Sequence, residues 1–190
     1  YSLAQGYSGV HAYQFNVDLY RNVQFADMTM YPIGSAPMYM VTWPNVATLC
    51  GGLAVNDYLN IGEYRQIKLS AKVAWQQRNV RNNEGLASLR VYWPSIASND
   101  NAWHGRASVS YHYQRAKINM SFGAGLGNRT PSTTESFGYF INNTFDRYDY
   151  IGNPNLKNES AVEFNATGNL NGKRLSVKFL ANAFLFSNYI

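Results

Sequence analysis

The sequence predicts an all-β fold: an antiparallel transmembrane β-barrel segment of about seven strands. Three observations predict it, namely strict alternation of apolar and polar residues, little charge among many large side chains, and connections that alternate in length. Charged residues make up 14% of the chain, against roughly 25% in typical soluble domains, while aromatic residues reach 15%. No apolar run approaches the roughly 18 residues of a membrane-spanning helix. Because the large side chains are not gathered into long apolar runs, they indicate strands that have one apolar and one polar face.

Period-two alternation is the strongest local pattern, and it is typical of a strand with one apolar and one polar face. In residues 66–76 the polar face holds Lys68 and Lys72, and the apolar face holds Ile67, Leu69, Ala71, Val73 and Trp75. Six further segments alternate in the same way: 13–19, 38–56, 106–113, 117–126, 162–167 and 175–183. The sequence predicts no amphipathic helix.

The predicted connections alternate between short and long. Tight turns are predicted at 114–117 and 170–173, the second around the Asn-Gly pair favoured by two-residue hairpins, and a short link at 57–65. Long connections are predicted at 22–37, 78–104 and 128–157. Outer-membrane barrels show this arrangement, with short turns at the periplasmic rim and long loops outside. A soluble β-sandwich has no reason to sort its loops in this way.

Aromatic residues mark both ends of the predicted strands. Those facing outward are Tyr13, Tyr111 and Tyr113 near the lower rim, and Tyr39, Trp43 and Trp75 near the upper rim. Girdles of this kind lie where a barrel meets the lipid headgroups. Complete bacterial barrels have an even number of strands, so seven strands predict a piece of a barrel rather than a whole one.

The remaining composition argues against several functions. A single cysteine, Cys50, excludes an internal disulfide and any cysteine-based metal cluster. The net charge of +5 comes without a dense Lys/Arg run, so no nucleic-acid partner is expected. His11, His104 and His112 are scattered without metal-ligand spacing, and no nucleophile motif frames a serine. We therefore expect neither an enzyme nor a bound cofactor.

Two motifs in the last third of the chain carry a resemblance to a known family. The first is 127–132 (GNRTPS), followed by Glu135, and the second is 150–157 (YIGNPNLK). Upstream, 26–32 (ADMTMYP) and 37–40 (PMYM) add to them. Together these segments resemble the TonB-dependent outer-membrane receptors, in particular those of Bacteroidetes-like bacteria. The resemblance extends over nearly the whole chain.

The resemblance implies that residues 1–190 are a portion of a 22-stranded receptor barrel, whose plug domain and remaining strands are absent from this sequence. It implies a place in the bacterial outer membrane, in contact with lipid, and energy supplied by TonB through the missing plug. The implied activity is uptake of a scarce nutrient. An iron-siderophore is the first candidate, and haem, cobalamin and copper rank after it. A surface lipoprotein is a further partner that such a receptor could bind.

Two other classes of protein stay open on the residues alone. One is a small outer-membrane barrel complete in itself, acting as an enzyme or an adhesin. It would need an even strand count and, for an enzyme, a nucleophile with a base at the rim. The other is a soluble β-sandwich that binds carbohydrate through its aromatics. In a sandwich the apolar side chains of 67–75 would lie between two sheets rather than against lipid.

The loop 128–157 holds the candidate ligand-binding residues. These are Phe137, Tyr139, Phe140, Phe145, Arg147, Tyr148 and Tyr150. Aromatic outer loops suit capture of an amphipathic ligand such as a metal chelate, and the alternative is a loop that packs on itself. The two motifs themselves are predicted to be structural, because Pro131 and Pro154 remove backbone donors where strands give way to loops.

Two further groups are predicted to point into the barrel lumen. The first comprises Met28, Met30, Met38 and Met40, on two paired strands near the outer rim. Thioethers favour Cu(I), although methionine more often fills gaps in packing. The second is basic: Lys68, Lys72, Arg106, Lys117, Arg174 and Lys178. The positive potential of these basic residues could attract an anionic ligand. Acidic groups on the missing plug are their expected partners.

Overall fold

One antiparallel sheet dominates the computed structural model, which describes residues 2–189. Its strands, in spatial order, are β1 (Ser2–Ser8), β2 (His11–Met30), β3 (Met38–Ile61), β4 (Arg65–Val80), β5 (Asn99–Arg115), β6 (Ile118–Arg129), β9 (Glu159–Asn171) and β10 (Ser176–Ser187). A separate hairpin pairs β7 (Ile141–Asn143) with β8 (Tyr148–Tyr150). In the described range the helices are α1 (Asn83–Arg90) and α2 (Thr133–Phe137). The predicted all-β, antiparallel class is confirmed.

The connections sort onto two edges of the sheet. Those at one edge, here the turn edge, are short: 9–10, 62–64, 116–117 and 172–175. Those at the other edge, here the loop edge, are 31–37, 81–98 and 130–158. The predicted alternation of short and long connections is therefore confirmed, and the two longest loops meet at the same edge.

The main sheet has eight strands within residues 2–189, one more than the seven predicted. The additional strand is β1, which pairs with β2 up to Ser8 opposite His11. Its sequence lacks a clear alternation because glycine and polar residues interrupt it. Backbone pairing does not require that alternation, since the ladder bonds join main-chain groups.

The strands at the loop edge run farther than the sequence indicates. β2 and β3 pair as far as Met30 opposite Met38, so the predicted 22–37 connection shrinks to 31–37. The pairing register shifts between Gln24 and Asp27. A bulge of this kind puts two residues opposite one and breaks the period-two pattern, which is why the sequence pattern fades before the strand ends.

Cross-strand pairing gives the sheet two different faces. Directly opposed residues of an antiparallel pair lie on the same face. One row across the sheet reads Phe15, Val55, Ala71, Ala107, Leu126, Val162 and Leu185. The next row, on the opposite face, reads Gln14, Asn56, Ser70, Ser108, Gly125, Glu163 and Phe184. We call these the apolar face and the polar face.

The helices correct the expectation that the chain contains none. The amide oxygen of Asn82 accepts a hydrogen bond from the Gly85 N–H at 2.8 Å and caps the start of α1. Leu86 and Leu89 are buried, but two apolar residues are too few to show a helical repeat in the sequence. The burial of α1 against other parts of the chain, rather than its own sequence, decides its formation. No helix among residues 2–189 is long and apolar enough to cross a membrane.

Trp43 departs from its predicted outward position at the upper rim. Its Nε1 donates a hydrogen bond to Thr134 Oγ1 in α2, at 3.2 Å, so the side chain reaches the loops. The backbone explains the departure, because Asn45 has a φ of 49° and interrupts the regular strand. Trp75 keeps its predicted face, directly opposite Trp103.

Ala116 gives a test of the turn edge. It lies in the two-residue turn between β5 and β6 with a φ of 42°, a conformation that costs an L-residue with a Cβ about 1 kcal/mol. We expect Ala116→Gly to raise the free energy of unfolding of the full-length protein in urea by about that amount. As a control, Ala107→Gly within β5 should lower it by about 0.5–1 kcal/mol. A loss of stability in both variants would contradict the strained turn.

Candidate ligand-binding site

The two longest loops fold together into one body at the loop edge. We call residues 81–98 and 130–158 the loop cap. Its buried cluster comprises Val46 and Val80 from the strands, Leu86, Leu89 and Ile96 from the first loop, and Phe137 from the second. Trp93, Tyr139 and Ile151 pack against this cluster. Because both loops and two strands share one apolar core, the loop cap is held on the sheet rather than projecting as free loops.

Close packing of α1 on β3 requires a glycine. A Cβ at Gly85 would lie 2.4 Å from Cβ of Pro44 and 3.1 Å from Cγ1 of Val41. Any larger residue would therefore push the helix away from the strand. That contact sets how deeply the first loop sits against the sheet.

Arg78 joins the polar face of the sheet to the loop cap. The residue is 3% exposed, and its Nη1 donates to the Pro131 carbonyl oxygen at 2.9 Å and to Ser136 Oγ at 2.7 Å. Its Nε donates to Asp100 Oδ2 at 3.1 Å, which completes an ion pair. The guanidinium also lies over the Phe137 ring, 5.1 Å from the centroid. A buried charge of this kind is stable only because each of these partners is in place.

The first motif, 127–132 with Glu135, forms a second set of polar contacts between the sheet and the loop cap. Arg129 donates to both carboxylate oxygens of Glu135, at 2.9 and 3.1 Å, and to Glu159 at 3.0 Å. Glu135 also forms a capping box with Ser132 at the start of α2. The hydrogen bond from Arg129 and the capping hydrogen bonds from Ser132 together outweigh the effect of burial and lower the pKa of Glu135 to about 2. The carboxylate is therefore charged at any ordinary pH.

The second motif packs directly on the first. The Asn153 N–H donates to the Glu135 carbonyl oxygen at 2.8 Å, and the Gly152 N–H donates to the Gly138 carbonyl oxygen at 2.7 Å. A Cβ at Gly152 would lie 2.7 Å from the backbone nitrogen of Phe137, so glycine is required there. Trp93 Nε1 donates to the Gly152 carbonyl oxygen at 2.9 Å. These contacts support the structural role predicted for both motifs.

The predicted aromatic ligand residues divide into two groups. Phe137 is only 2% exposed and lies inside the core under Arg78, which corrects the expectation that it faces a ligand. Tyr139 and Phe140 form an edge-to-face pair with centroids 4.8 Å apart, and burial raises the pKa of the Tyr139 hydroxyl. The four others, Phe145, Arg147, Tyr148 and Tyr150, are exposed on the β7–β8 hairpin or its tip. Their role in binding stays a prediction.

The four methionines stand in two directly opposed pairs, as their predicted lumen placement requires. Met28 lies opposite Met40, and Met30 lies opposite Met38. Three of them line a cavity of about 420 Å³ between the β2–β3 hairpin and the loop cap. Its walls include Met30, Met38, Met40, Glu84, Ser88, Tyr92, Tyr139 and Phe140. The structure thus brings the methionines together with two of the predicted aromatic residues.

Sequence reasoning missed the contribution of the first loop to this cavity. Glu84 and Ser88 lie on α1, and Tyr92 follows it, with its ring 6.3 Å from that of Tyr139. The available signal was the group of large apolar and aromatic residues in this connection, namely Leu86, Leu89, Tyr92, Trp93 and Ile96. A second cavity, of about 650 Å³, lies beside the β7–β8 hairpin and is lined in part by Tyr150, Ile141 and Asn142.

Conventional metal-ligand clusters do not occur in the described residues. Within 2–189, no group of three or more His, Cys, Asp or Glu side chains is placed to hold a metal ion. Thioethers are a separate class of metal ligand. Cys50 is a free, buried cysteine on β3.

Comparison with known proteins supports the class of fold. No family model matches the chain, and no curated protein matches it significantly. Several solved structures do match, among them the copper transporter OprC, with a TM-score of 0.69 and 14% sequence identity. The match covers 96% of this chain and 27% of that chain, so this chain spans about a quarter of the length of that protein. The likeness, with the two-faced antiparallel sheet, identifies the chain as a segment of a β-barrel wall.

Arg78 provides a test of the loop cap. Arg78→Met keeps much of the apolar stem but removes the hydrogen bonds to Asp100, Pro131 and Ser136, so we expect the cap to lose about 2 kcal/mol of stability. Hydrogen–deuterium exchange of the full-length protein should then quicken across 81–98 and 130–158 together, while the sheet stays protected. Arg115→Met, at the turn edge, is the matched control. Quickened exchange in only one of the two loops would contradict the shared core.

Proposed function

We propose that this chain forms part of the wall of a bacterial outer-membrane barrel that imports a scarce nutrient. The two-faced sheet carries the proposal. Large apolar side chains such as Leu53, Leu69 and Leu126 are exposed on the apolar face. Soluble proteins rarely leave a continuous apolar surface of that extent uncovered, whereas lipid is its natural solvent in a barrel.

The alternatives fit the structure less well. A soluble β-sandwich needs a second layer over the apolar face, and in the described part of the chain that face is covered by no second sheet. A small barrel complete in itself needs its first and last strands to pair, and β1 and β10 are not paired with each other in the sheet formed by residues 2–189. A larger barrel closed by further strands and a TonB-linked plug accounts for both observations.

An iron-siderophore is the first candidate cargo, and it follows from the resemblance to TonB-dependent receptors. The β7–β8 hairpin supports it, because Phe145 is 96% exposed at its tip with Arg147 and Tyr148 beside it. Exposed aromatic and cationic groups on an anchored cap suit first contact with a bulky, anionic metal chelate. The loop cap would then hold the cargo above the polar face of the wall.

Uptake measurements test this candidate. In cells carrying the full-length protein, Phe145→Ser with Tyr148→Ser should reduce uptake of radioactive iron supplied as a siderophore by roughly tenfold or more, since two aromatic contacts are lost. Tyr31→Ser is the control, because Tyr31 is equally exposed at the same edge but was not predicted to bind. Equal uptake by all three proteins, each present at normal levels in the outer-membrane fraction, would refute the siderophore candidate. Absence of the wild-type protein from that fraction would refute the membrane barrel itself.

Copper is the second candidate cargo, and the paired methionines favour it. Four thioethers on two adjacent strands give a soft donor set of the kind that binds Cu(I). The copper transporter OprC is among the structures that this chain resembles, which adds modest support at 14% identity. The competing explanation is packing, because Met40 is almost fully buried and the cavity beside it is lined by aromatic rings.

Methionine-to-leucine exchange separates copper binding from packing. Replacing Met30, Met38 and Met40 by Leu conserves volume but removes the sulfur donors, so copper uptake by the full-length protein should fall to background if the thioethers bind the metal. Met120→Leu on β6 provides the control, because it is the one methionine outside the quartet. Unchanged copper uptake in the triple variant would leave the methionines with a packing role.

A further inference from the structure

A recess on the polar face holds two cationic side chains and a pair of hydroxyls. Register places Ser70 of β4 directly opposite Ser108 of β5, with Lys68 two residues to one side and Arg106 two residues to the other. All four line one cavity of about 530 Å³. The same strand alternation that defines the polar face therefore gathers these donors at one place on the wall.

Glycines on the neighbouring strand form the floor of this recess. Gly125 lies opposite Ser108, and Gly127 lies opposite Arg106. A Cβ at these positions would lie 3.2 Å from Cβ of Ser108 and 3.1 Å from Cβ of Arg106, so larger residues would crowd the two donors. With hydrogen atoms in place of side chains, β6 leaves open space beside Arg106.

The charge balance within the recess is unusual. Arg106 stands directly opposite Lys72, and like charges in opposed positions destabilise a sheet. Asp18 pairs with Lys72 and also attracts Arg106 more weakly, while Arg106 forms no direct ion pair of its own in the described chain. Across the recess, Glu163 lies beyond the glycine floor in the same row as Ser108 and Gly125, and Glu159 is taken by Arg129. Arg106 and Lys72 are therefore two neighbouring cations that share the single carboxylate of Asp18.

We infer that this recess is an oxyanion site, in which Arg106 and the hydroxyl of Ser108 bind a carboxylate or phosphate. Lys68, whose Nζ lies 5.2 Å from the centroid of the Tyr58 ring, adds positive charge at the edge of the recess. Arg106 supplies the planar fork that suits such groups, and the bound anion removes its repulsion from Lys72. Two sources share this chemistry: a free anion within the lumen, or an acidic side chain of a segment that fills the barrel. The site is independent of which nutrient the barrel carries.

The direction in which one substitution shifts the melting temperature tests the inference. If no anion is bound, Arg106→Gln relieves the repulsion from Lys72 and removes a weaker attraction to Asp18, so the melting temperature should change little or rise. If an anion is bound, the same change should lower the melting temperature or abolish a gain produced by added anion. Lys178→Gln is the control, because Lys178 also lies on the polar face, on β10 opposite Asn169, outside the recess.

The experiment measures thermal unfolding of the full-length protein in detergent, with and without inorganic phosphate at constant ionic strength. A free site predicts that phosphate stabilises the wild type and K178Q, and that R106Q binds phosphate about tenfold more weakly or worse. A site filled by an acidic segment predicts no effect of phosphate on the wild type and a lower melting temperature for R106Q alone. R106K should retain part of either effect, since it keeps the charge without the fork.

A different pair of results overturns the inference. If R106Q melts at or above the wild-type temperature and phosphate affects the two proteins equally, the recess holds no oxyanion. Loss of stability in K178Q equal to that in R106Q also overturns it, because the effect would then belong to the general positive charge of the polar face.

Discussion

Strand register is the constraint on which the rest of this structure depends. A shift of one residue in any strand would move every side chain of that strand to the other face. Six successive pairings keep apolar residues opposite apolar residues, from Phe15 on β2 to Leu185 on β10. The same pairings align the methionines at the loop edge and the serine pair beside Arg106. The placement of the methionines and of the recess beside Arg106 is therefore a product of register.

The loop cap depends on a second constraint, which is the burial of one charge. Arg78 would be costly in an apolar setting, and its contacts with Asp100, Pro131 and Ser136 offset that cost only while the second loop is folded over it. The two motifs keep the second loop folded over Arg78 through backbone hydrogen bonds at Glu135 and Gly152. The two candidate binding surfaces at the loop edge, the methionine cavity and the β7–β8 hairpin, are consequently held by a shared framework.

Much of the fold could be predicted from the sequence, while the site was predicted only in part. Alternation predicted seven of the eight strands of the main sheet, their faces and the pairing of the methionines, because side-chain parity is a local property. It missed α1 and α2, whose short sequences acquire helical structure from tertiary burial. It also could not distinguish Phe137 from Phe145. One is 2% exposed and the other 96%, and the contact that decides the difference comes from Arg78, far away along the chain.

The common core of the two long loops has a consequence for divergence among related proteins. Residues 81–98 and 130–158 cannot drift independently, because a change in either alters the surface on which the other packs. Insertions and deletions should therefore concentrate at the tip between β7 and β8 and in the 31–37 turn, where no shared core is disturbed. A different tip can replace the present one at those two positions with the barrel wall and the cap left intact.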